Sequence, residues 1–322
     1  MKVVITDHRF PDVEQERRAV EALGGKLVVA QTTDEQQLAS VCKDADGVIA
    51  AHAAITKRVI AAMERCRIIV RYGIGVDTID IPPATERGIM VANVPDYCID
   101  EVSDHALALL LMLSRQMIPA ISLAREERWA IAKMPPLHRL RGQVCGLVGG
   151  GKIGSLLACK VSQLGMRVVI HDPYLSESRC REIGAEPVSL DTLLASADFI
   201  SLHAPLNEKT HHLFGEAAFA KMKNNASIVN TARGGLIDEA ALLAALDSGK
   251  ISGAALDVLE SETTVTPVRS TLVNHPKVIV TAHTAWLSEE ARAMLQLRAV
   301  EQVLACLKGE TPYGLINREL AK

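Results

Sequence analysis

The sequence predicts an α/β protein of two domains, both built on parallel sheets. Three observations carry that expectation. The chain has 322 residues, the length of two ordinary domains. Short β-branched runs alternate with helical stretches through most of it, the rhythm of strands joined by crossover helices. The rhythm breaks after Asn93-Val94-Pro95 and resumes at Gln143, so two alternating series flank one irregular segment.

In the first series Val3–Thr6 is a strand, Val13–Leu23 a helix stopped by Gly24-Gly25, and Leu27–Ala30 a strand. Glu35–Val41 is helical, Gly47–Ala51 extended, Lys57–Met63 helical. Ile68–Arg71 is a strand running into the loop Tyr72-Gly73-Ile74-Gly75, and Met90–Ala92 is one more. The break begins with a long apolar helix, Asp100–Arg115, entered through acidic residues that suit its N-terminus. A second helix reaches about Trp129, and the loop Lys133-Met134-Pro135-Pro136 follows. The second series has strands at Val144–Val148, Val168–His171, Phe199–Leu202, Ser227–Asn230, Gly253–Asp257 and Val278–Thr281. The tail Ser288–Leu307 is a helix with Met294, Leu295, Leu297, Val300, Val303, Leu304 and Leu307 at helical spacing. The helix at 100–115 and the tail helix read as the two connections of an inserted domain. Residues 1–98 and 287–322 then form one lobe and 99–286 the other, and a cleft between two lobes is where small ligands are held.

Composition narrows the function. Hydrophobic residues are 48% and charged residues 23%, a globular balance that excludes a disordered chain, a collagen and a coiled coil. A net charge of −3 argues against a nucleic-acid partner, which needs a basic surface. Ala106–Leu113, the longest strongly apolar run, is too short to span a bilayer, so no membrane partner is expected. The N-terminus lacks the pattern of a signal peptide. Seven cysteines without a Cys-x-x-Cys pair suggest reduced thiols and a cytoplasmic protein. With aromatics at only 3%, the core must be aliphatic.

Gly149-Gly150-Gly151-Lys152-Ile153-Gly154 fits Gly-x-Gly-x-x-Gly between a strand and the helix Ile153–Leu164. The unit from Gln143 to Asp172 spans 30 residues, the size of one dinucleotide-binding βαβ. Gly149 permits the tight turn, Gly151 lets the backbone approach a pyrophosphate, and Gly154 lets helix and strand pack closely. The helix start at Lys152 and Ile153 offers N–H groups to phosphate. Asp172, eighteen residues after Gly154 at a strand end, can accept from a ribose 2′-OH and repel a 2′-phosphate, which points to NAD.

Ligands of an open parallel sheet sit beyond the C-terminal strand ends. Those ends deliver His203-Ala204-Pro205-Leu206-Asn207, Thr231-Ala232-Arg233-Gly234-Gly235, then Asp257, Glu260 and Glu262, and finally Ala282-His283-Thr284-Ala285-Trp286. Ala204, Pro205, Asn207, Thr231 and Ala232 are thereby candidate cofactor contacts. Hydride transfer fits this set, since it needs a carboxylate clamp and one movable proton. Arg233 can pair bidentately with a carboxylate. His283 can protonate an alkoxide. A carboxylate behind it fixes its tautomer and stabilises imidazolium, and residue chemistry leaves Glu260 and Glu262 equivalent in that role. The adjacent pair His211-His212 lacks chelating spacing, and no metal site is expected. Trp286 has a plain core role as its alternative, and Cys98 and Cys145 read as small core residues.

These motifs resemble the NAD-dependent D-2-hydroxyacid dehydrogenases, in the branch that includes 3-phosphoglycerate dehydrogenase and the C-terminal-binding proteins. The likeness runs from about Val48 to Ala291 and rests on Val70-Arg71-Tyr72-Gly73-Ile74-Gly75-Val76-Asp77, the glycine loop, Thr231-Ala232-Arg233-Gly234-Gly235, Gly253-Ala254-Ala255-Leu256-Asp257-Val258 and His283-Thr284-Ala285-Trp286. The last is closest to the C-terminal-binding branch. The resemblance implies a Rossmann NAD domain inserted into a flavodoxin-like substrate domain. It makes Arg233 the substrate clamp and His283 the proton carrier. Its partner is the glutamate five residues after Asp257, which is Glu262. Asp257 would bond the nicotinamide carboxamide. Gly73, Ile74 and Gly75 would offer N–H groups to the substrate carboxylate, Arg71 would stand near the substrate's far end, and Trp286 would line the substrate site. Ala282 stands where the family usually has proline, and the loop from Glu262 to His283 is short. The chain ends at Lys322, so feedback by serine through a C-terminal regulatory domain is not expected.

The expected function is interconversion of a small 2-oxo acid and its D-2-hydroxy acid with NAD(H). The long helix at 100–115 exceeds what one lobe needs to bury, which suggests a homodimer. The alternative is an NAD(H)-sensing corepressor-like scaffold, which would bind NADH tightly without turnover.

Overall fold

The computed structural model describes the chain except residues 127, 128, 130, 131, 133, 261, 263–269 and 322. The chain divides into two units, Met1–Tyr97 with Leu287–Lys322, and Cys98–Trp286. In the first unit β1 (Lys2–Ile5), β2 (Lys26–Val29), β3 (Gly47–Ala50), β4 (Ile68–Arg71) and β5 (Met90–Ala92) lie in the order β2-β1-β3-β4-β5. All pairs are parallel, which is the expected flavodoxin-like order. Helices α1 (Glu14–Glu21), α2 (Glu35–Val41), α3 (Lys57–Ala62) and α4 (Ile81–Glu86) make the crossovers. Asp34 and Thr56 accept from the first-turn N–H groups of α2 and α3, donors that a helix leaves unpaired. The sequence reading names no helix at α4, which carries Pro82 and Pro83. They fall in its first turn, where no N–H is needed.

The second unit begins with α5 (Ile99–Ser114) and α6 (Met117–Arg125). Its alternating series is β6 (Val144–Val148), α7 (Lys152–Gln163), β7 (Arg167–His171), α8 (Glu177–Glu182), β8 (Ala185–Pro187), α9 (Leu190–Ser196), β9 (Phe199–Leu202), α10 (Glu216–Lys221), β10 (Ala226–Asn230), α11 (Glu239–Asp247), β11 (Ile251–Leu256) and β12 (Val278–Val280). The parallel sheet runs β12-β11-β10-β9-β6-β7-β8, a Rossmann order with one added strand. Strand order reverses at β6, which pairs with β7 and β9 at once. Val148 is level with His171 on one side and Leu202 on the other, so the loops after β6 and β9 leave the sheet side by side. One face of the sheet is covered by a core that includes Leu193, Phe214, Phe219 and Leu242. The other is covered by α5 and α7 through Ala106, Leu109, Leu110, Leu157 and Val161. Burial on both faces is what makes these strands continuously apolar.

The structure corrects several sequence expectations. β8 is a three-residue edge strand, too short and too polar for its pattern to announce it. The second helix stops at Arg125 rather than near Trp129, whose side chain is exposed, and Lys133 of the following loop lies outside the described residues. In the tail helix α12 (Glu289–Lys308), Met294 and Leu297 face solvent, while Gln296 and Gln302 are buried instead. Gln296 donates to the buried carboxylate of Glu16, and Gln302 donates to the carbonyl of Asn93. Both glutamines therefore fill polar demands inside the first unit that apolar periodicity cannot reveal. Among the described residues no single helix is long and apolar enough to cross a membrane. α5 and α6 qualify only together, bent by 63° at their junction.

Candidate active site

The glycine loop after β6 is shaped by close approach. Gly149 has φ +99°, and a Cβ there would stand 2.7 Å from the carbonyl of His203 in the loop after β9. A Cβ on Gly154 would stand 2.3 Å from the Gly149 oxygen. The turn at the switch point therefore tolerates no side chain on either residue. A Cβ on Gly151, by contrast, meets nothing within 4 Å. Gly151 is the cap residue of α7, and among the described residues no side chain caps the first N–H groups of that helix, those of Lys152 and Ile153 included. Open space over unbonded helix-start donors is what a pyrophosphate requires. Asp172, at the end of β7, accepts from Gly150 N–H at 2.7 Å and from Tyr174 N–H at 2.9 Å. Its carboxylate is thus held beside the loop and keeps lone pairs to spare.

The loop after β9 continues through Ala204, Pro205 and Asn207. Thr210 Oγ1 ties it by donating to the Pro205 carbonyl and accepting from Asn207 N–H. At the end of β10, Thr231 is buried and its Oγ1 has no partner among the described residues. A buried hydroxyl left so costs about 1–3 kcal/mol unless a ligand meets it. The open glycine loop, the bare helix start and this hydroxyl fit a bound dinucleotide. Beyond Thr231, Asn230 clamps the turn, accepting from Ala232 N–H and donating to the Arg233 carbonyl. Arg233 leaves the turn in extended conformation and its Nη1 donates to the Ala232 carbonyl.

Asp257 ends β11 and is buried. Its Oδ1 accepts from Thr281 Oγ1 at 2.5 Å and Thr284 N–H at 2.9 Å, and its Oδ2 from Ala285 N–H at 2.9 Å. The His283 N–H donates to the Asp257 carbonyl. These bonds wrap the chain tightly enough to put His283 at φ +53°, and Trp286 follows half-buried. His105 of α5 stands against the same group, its Nε2 3.1 Å from Thr281 Oγ1 and 3.6 Å from Asp257 Oδ1. His283 Nδ1 meets Glu262 Oε1 at 2.8 Å. Burial alone would raise the Glu262 carboxyl. The His283 hydrogen bond and charge, the Leu259 N–H and the Arg233 charge outweigh it and hold the group below the usual carboxylate range. Glu260 lies elsewhere, its Oε1 2.8 Å from His212 Nε2. The expectation that His211 and His212 lack chelating geometry considered only their own spacing. Glu260, far along the chain, joins them in one group of potential ligands.

In the first unit, the loop after β4 carries Gly73 at φ +139°, with the Arg71 side chain where a Cβ would be. The Gly73 carbonyl accepts from Val94 N–H at 3.0 Å and the Ile74 carbonyl from Asn93 Nδ2 at 2.6 Å. A trans peptide sets N–H opposite C=O, so the N–H groups of Ile74 and Gly75 point away from those anchors together. Sequence reading missed Asn93, Asn230 and His105. Asn93 and Asn230 had a signal, each being an amide side chain at the end of a strand.

Residues 107–285 match the family model described as "D-isomer specific 2-hydroxyacid dehydrogenase, NAD binding domain". A glyoxylate reductase of Korarchaeum cryptofilum is 37% identical over 300 residues, covering 92% of this chain and 87% of that protein. A D-3-phosphoglycerate dehydrogenase of Mycobacterium tuberculosis is 37% identical over 99% of this chain, which spans only 60% of that relative's length. The crystal structure of D-lactate dehydrogenase from Aquifex aeolicus, complexed with NAD and lactic acid, superposes with a TM-score of 0.86 at 28% identity, covering 96% of each chain.

Proposed function

The chain belongs to the D-isomer-specific 2-hydroxyacid dehydrogenase family, and from that premise we propose how its own residues carry the reaction. It is an NAD(P)(H)-dependent oxidoreductase of a small 2-oxo or 2-hydroxy acid. The dinucleotide, when bound, supplies or takes up the hydride. The glycine loop at Gly149, Gly151 and Gly154, the α7 start at Lys152 and Ile153, and the strand-end residues Ala204, Pro205, Asn207, Thr231 and Ala232 hold it. Asp172 selects NAD(H), because its charge repels a 2′-phosphate. Asp257 keeps the role of a carboxamide contact beside its work on the His283 turn.

Arg233 pairs with the substrate carboxylate and polarises the carbonyl. Ile74 and Gly75 offer backbone N–H groups to a carboxylate, whereas the Gly73 N–H, expected to join them, is taken by the Arg71 carbonyl at 2.9 Å. The observation that carries the chemistry is the 2.8 Å contact between His283 Nδ1 and Glu262 Oε1. It commits Nδ1 to the carboxylate and leaves Nε2 to give a proton to the alkoxide oxygen in reduction, or to take it from the hydroxyl in oxidation. Trp286 borders the substrate, and Arg71 receives a second anion where the substrate has one. The protein is cytoplasmic and a homodimer. The dimer reading is supported by α6, an apolar helix with no buried residue, on which Met117 and Ile121 are 39% and 40% exposed.

The test is oxidation of NADH and NADPH with glyoxylate, hydroxypyruvate, 3-phosphohydroxypyruvate and a sulfonated analogue. Turnover with a clear NADH preference is expected. Asp172→Ala should narrow that preference, and Arg71→Ala should harm the doubly charged acids more than glyoxylate. Tight NADH binding without turnover on any acid would instead favour the sensor.

A further inference from the structure

Apart from the acid–base pair, the described residues hold one compact group of three potential metal ligands: His211, His212 and Glu260. Their ligand atoms all lie within 4.8 Å of one another. Both imidazoles turn the same nitrogen toward the same oxygen. His212 Nε2 is 2.8 Å and His211 Nε2 3.5 Å from Glu260 Oε1. In tetrahedral coordination with bonds of about 2.0–2.1 Å, neighbouring ligand atoms are roughly 3.3 Å apart. These two edges straddle that value, and a turn of one imidazole out of the ring stack would bring all three donors to one ion. The two rings are stacked, with centroids 3.9 Å apart and planes inclined by 24°.

Two further features are those of a built site. The backbone beneath the donors is fixed, because His211 N–H donates to the Asn207 carbonyl, His212 N–H to the Gly235 carbonyl, and Glu260 N–H to Glu239 Oε1. His212 holds φ +49°, a conformation a non-glycine residue keeps only when its surroundings impose it. The second ring nitrogen of His212 faces another carboxylate, with Nδ1 3.9 Å from Asp238 Oδ2. A carboxylate behind a ligating imidazole is the usual outer partner of a metal-bound histidine. Asp238 is itself held as the cap of α11, its Oδ1 accepting from Ala240 and Ala241 N–H.

We propose that His211, His212 and Glu260 form a surface site for a divalent transition-metal ion, with Asp238 as outer carboxylate and solvent completing the coordination. Two nitrogens and one oxygen select Zn²⁺, Co²⁺ or Ni²⁺ over Mg²⁺ and Ca²⁺, which take oxygen ligands. The exposure of His211 and Glu260 gives the ion an open path. The site joins the turn after β9 to the segment that carries Glu262, so the ion would restrain that segment without entering the reaction.

The experiment titrates the full chain with ZnCl2 by equilibrium dialysis, and with CoCl2 by visible absorption, in the absence of substrate. One ion per chain is expected, with MgCl2 failing to compete. His211→Ala, His212→Ala and Glu260→Gln should each weaken Zn²⁺ binding on the order of 10–100-fold, and Asp238→Asn should weaken it less. Retained NADH oxidation by the metal-free His211→Ala protein would show that the fold survives. Unchanged Zn²⁺ affinity in His211→Ala and Glu260→Gln would overturn the proposal. So would a loss of binding confined to His283→Ala or to Cys159→Ser, which would move the ion to the acid–base pair or to an exposed thiol. Because no turnover enters the titration, failure of this site and failure of the dehydrogenase reading are separately visible.

Discussion

At φ +53°, His283 occupies the left-handed region, which costs a non-glycine residue about 1–3 kcal/mol. The Asp257 carboxylate and carbonyl hold it there through the N–H groups of His283, Thr284 and Ala285. The imidazole is thereby set with Nδ1 on Glu262. Glu262 is lowered below the usual carboxylate range and stays ionised throughout neutral and mildly acid pH. The Glu262 oxygen on Nδ1 orients the ring, and reduction consumes a proton from Nε2. The rate kcat/KM for 2-oxo acid reduction should therefore hold at low pH and fall on the alkaline side. Glu262→Gln should move the falling limb to lower pH, while Glu260→Gln should leave it in place, since Glu260 bonds His212. His283→Ala should lose about 10²–10⁴-fold in rate. A pH–rate profile in which Glu260→Gln moves the limb and Glu262→Gln does not would reverse the assignment.

At the scale of an element, the β4–Gly73 loop depends on what ties its carbonyls. Asn93, at the end of β5, bonds the Ile74 carbonyl through its side chain, and its own carbonyl accepts from Gln302 of α12. Asn93→Ala should release the Ile74–Gly75 peptide and let the Gly75 N–H turn from the direction it shares with that of Ile74. Loss of a buried hydrogen bond is worth about 1–3 kcal/mol, so KM for the 2-oxo acid should rise roughly tenfold or more. The NADH dissociation constant should not change, because the glycine loop belongs to the other unit. Steady-state kinetics beside fluorescence titration of NADH separates the two. An equal loss in both would mean a general fault in folding.

For the whole molecule, two outcomes concern stability and assembly. Burial pushes His203 down from 6.5 to about 4. Between those values the unfolded chain takes up a proton that the folded chain refuses. Stability should therefore be independent of this group above about pH 6.5 and fall as pH drops toward 4, by about 3 kcal/mol in all. His203→Gln should flatten that slope in urea unfolding at pH 7 and pH 5. In assembly, α5 has one face in the core of its unit through Ala106, Leu109, Leu110 and Leu113, whereas α6 has none buried. The length of α5 is therefore accounted for inside its own unit, and α6 carries the exposed apolar face. Ile121→Lys should shift the mass measured by light scattering from two chains to one. A wild type that is already a single chain at working concentration would remove the dimer.

Most strands and the glycine loop were legible in the sequence because their signals are short in range, whereas the strand order came only from the family resemblance and β8 only from the structure. Alternation and β-branched runs mark a strand within five residues, and Gly149, Gly151 and Gly154 mark a turn within six. Strand ends such as Arg233 and His283 were legible for the same reason, since a parallel sheet sends all its C-terminal ends one way. Which side chains meet was not. Glu262 reaches His283 across 21 residues, Glu260 reaches His212 across 48, and Asp257 reaches Ala285 across 28. Residue chemistry left the two glutamates equivalent, and only a count taken from related proteins separated them before folding did. Asn93 and His105 carry no periodic mark at all. Their partners stand on other elements, and side-chain direction at a loop depends on backbone bonds that only the packed sheet supplies. The sequence by itself determined the sheets and the residue types at their ends, because those follow from local sterics and burial. The tertiary structure decided the pairings, because a hydrogen bond between distant residues exists only once the intervening chain is packed.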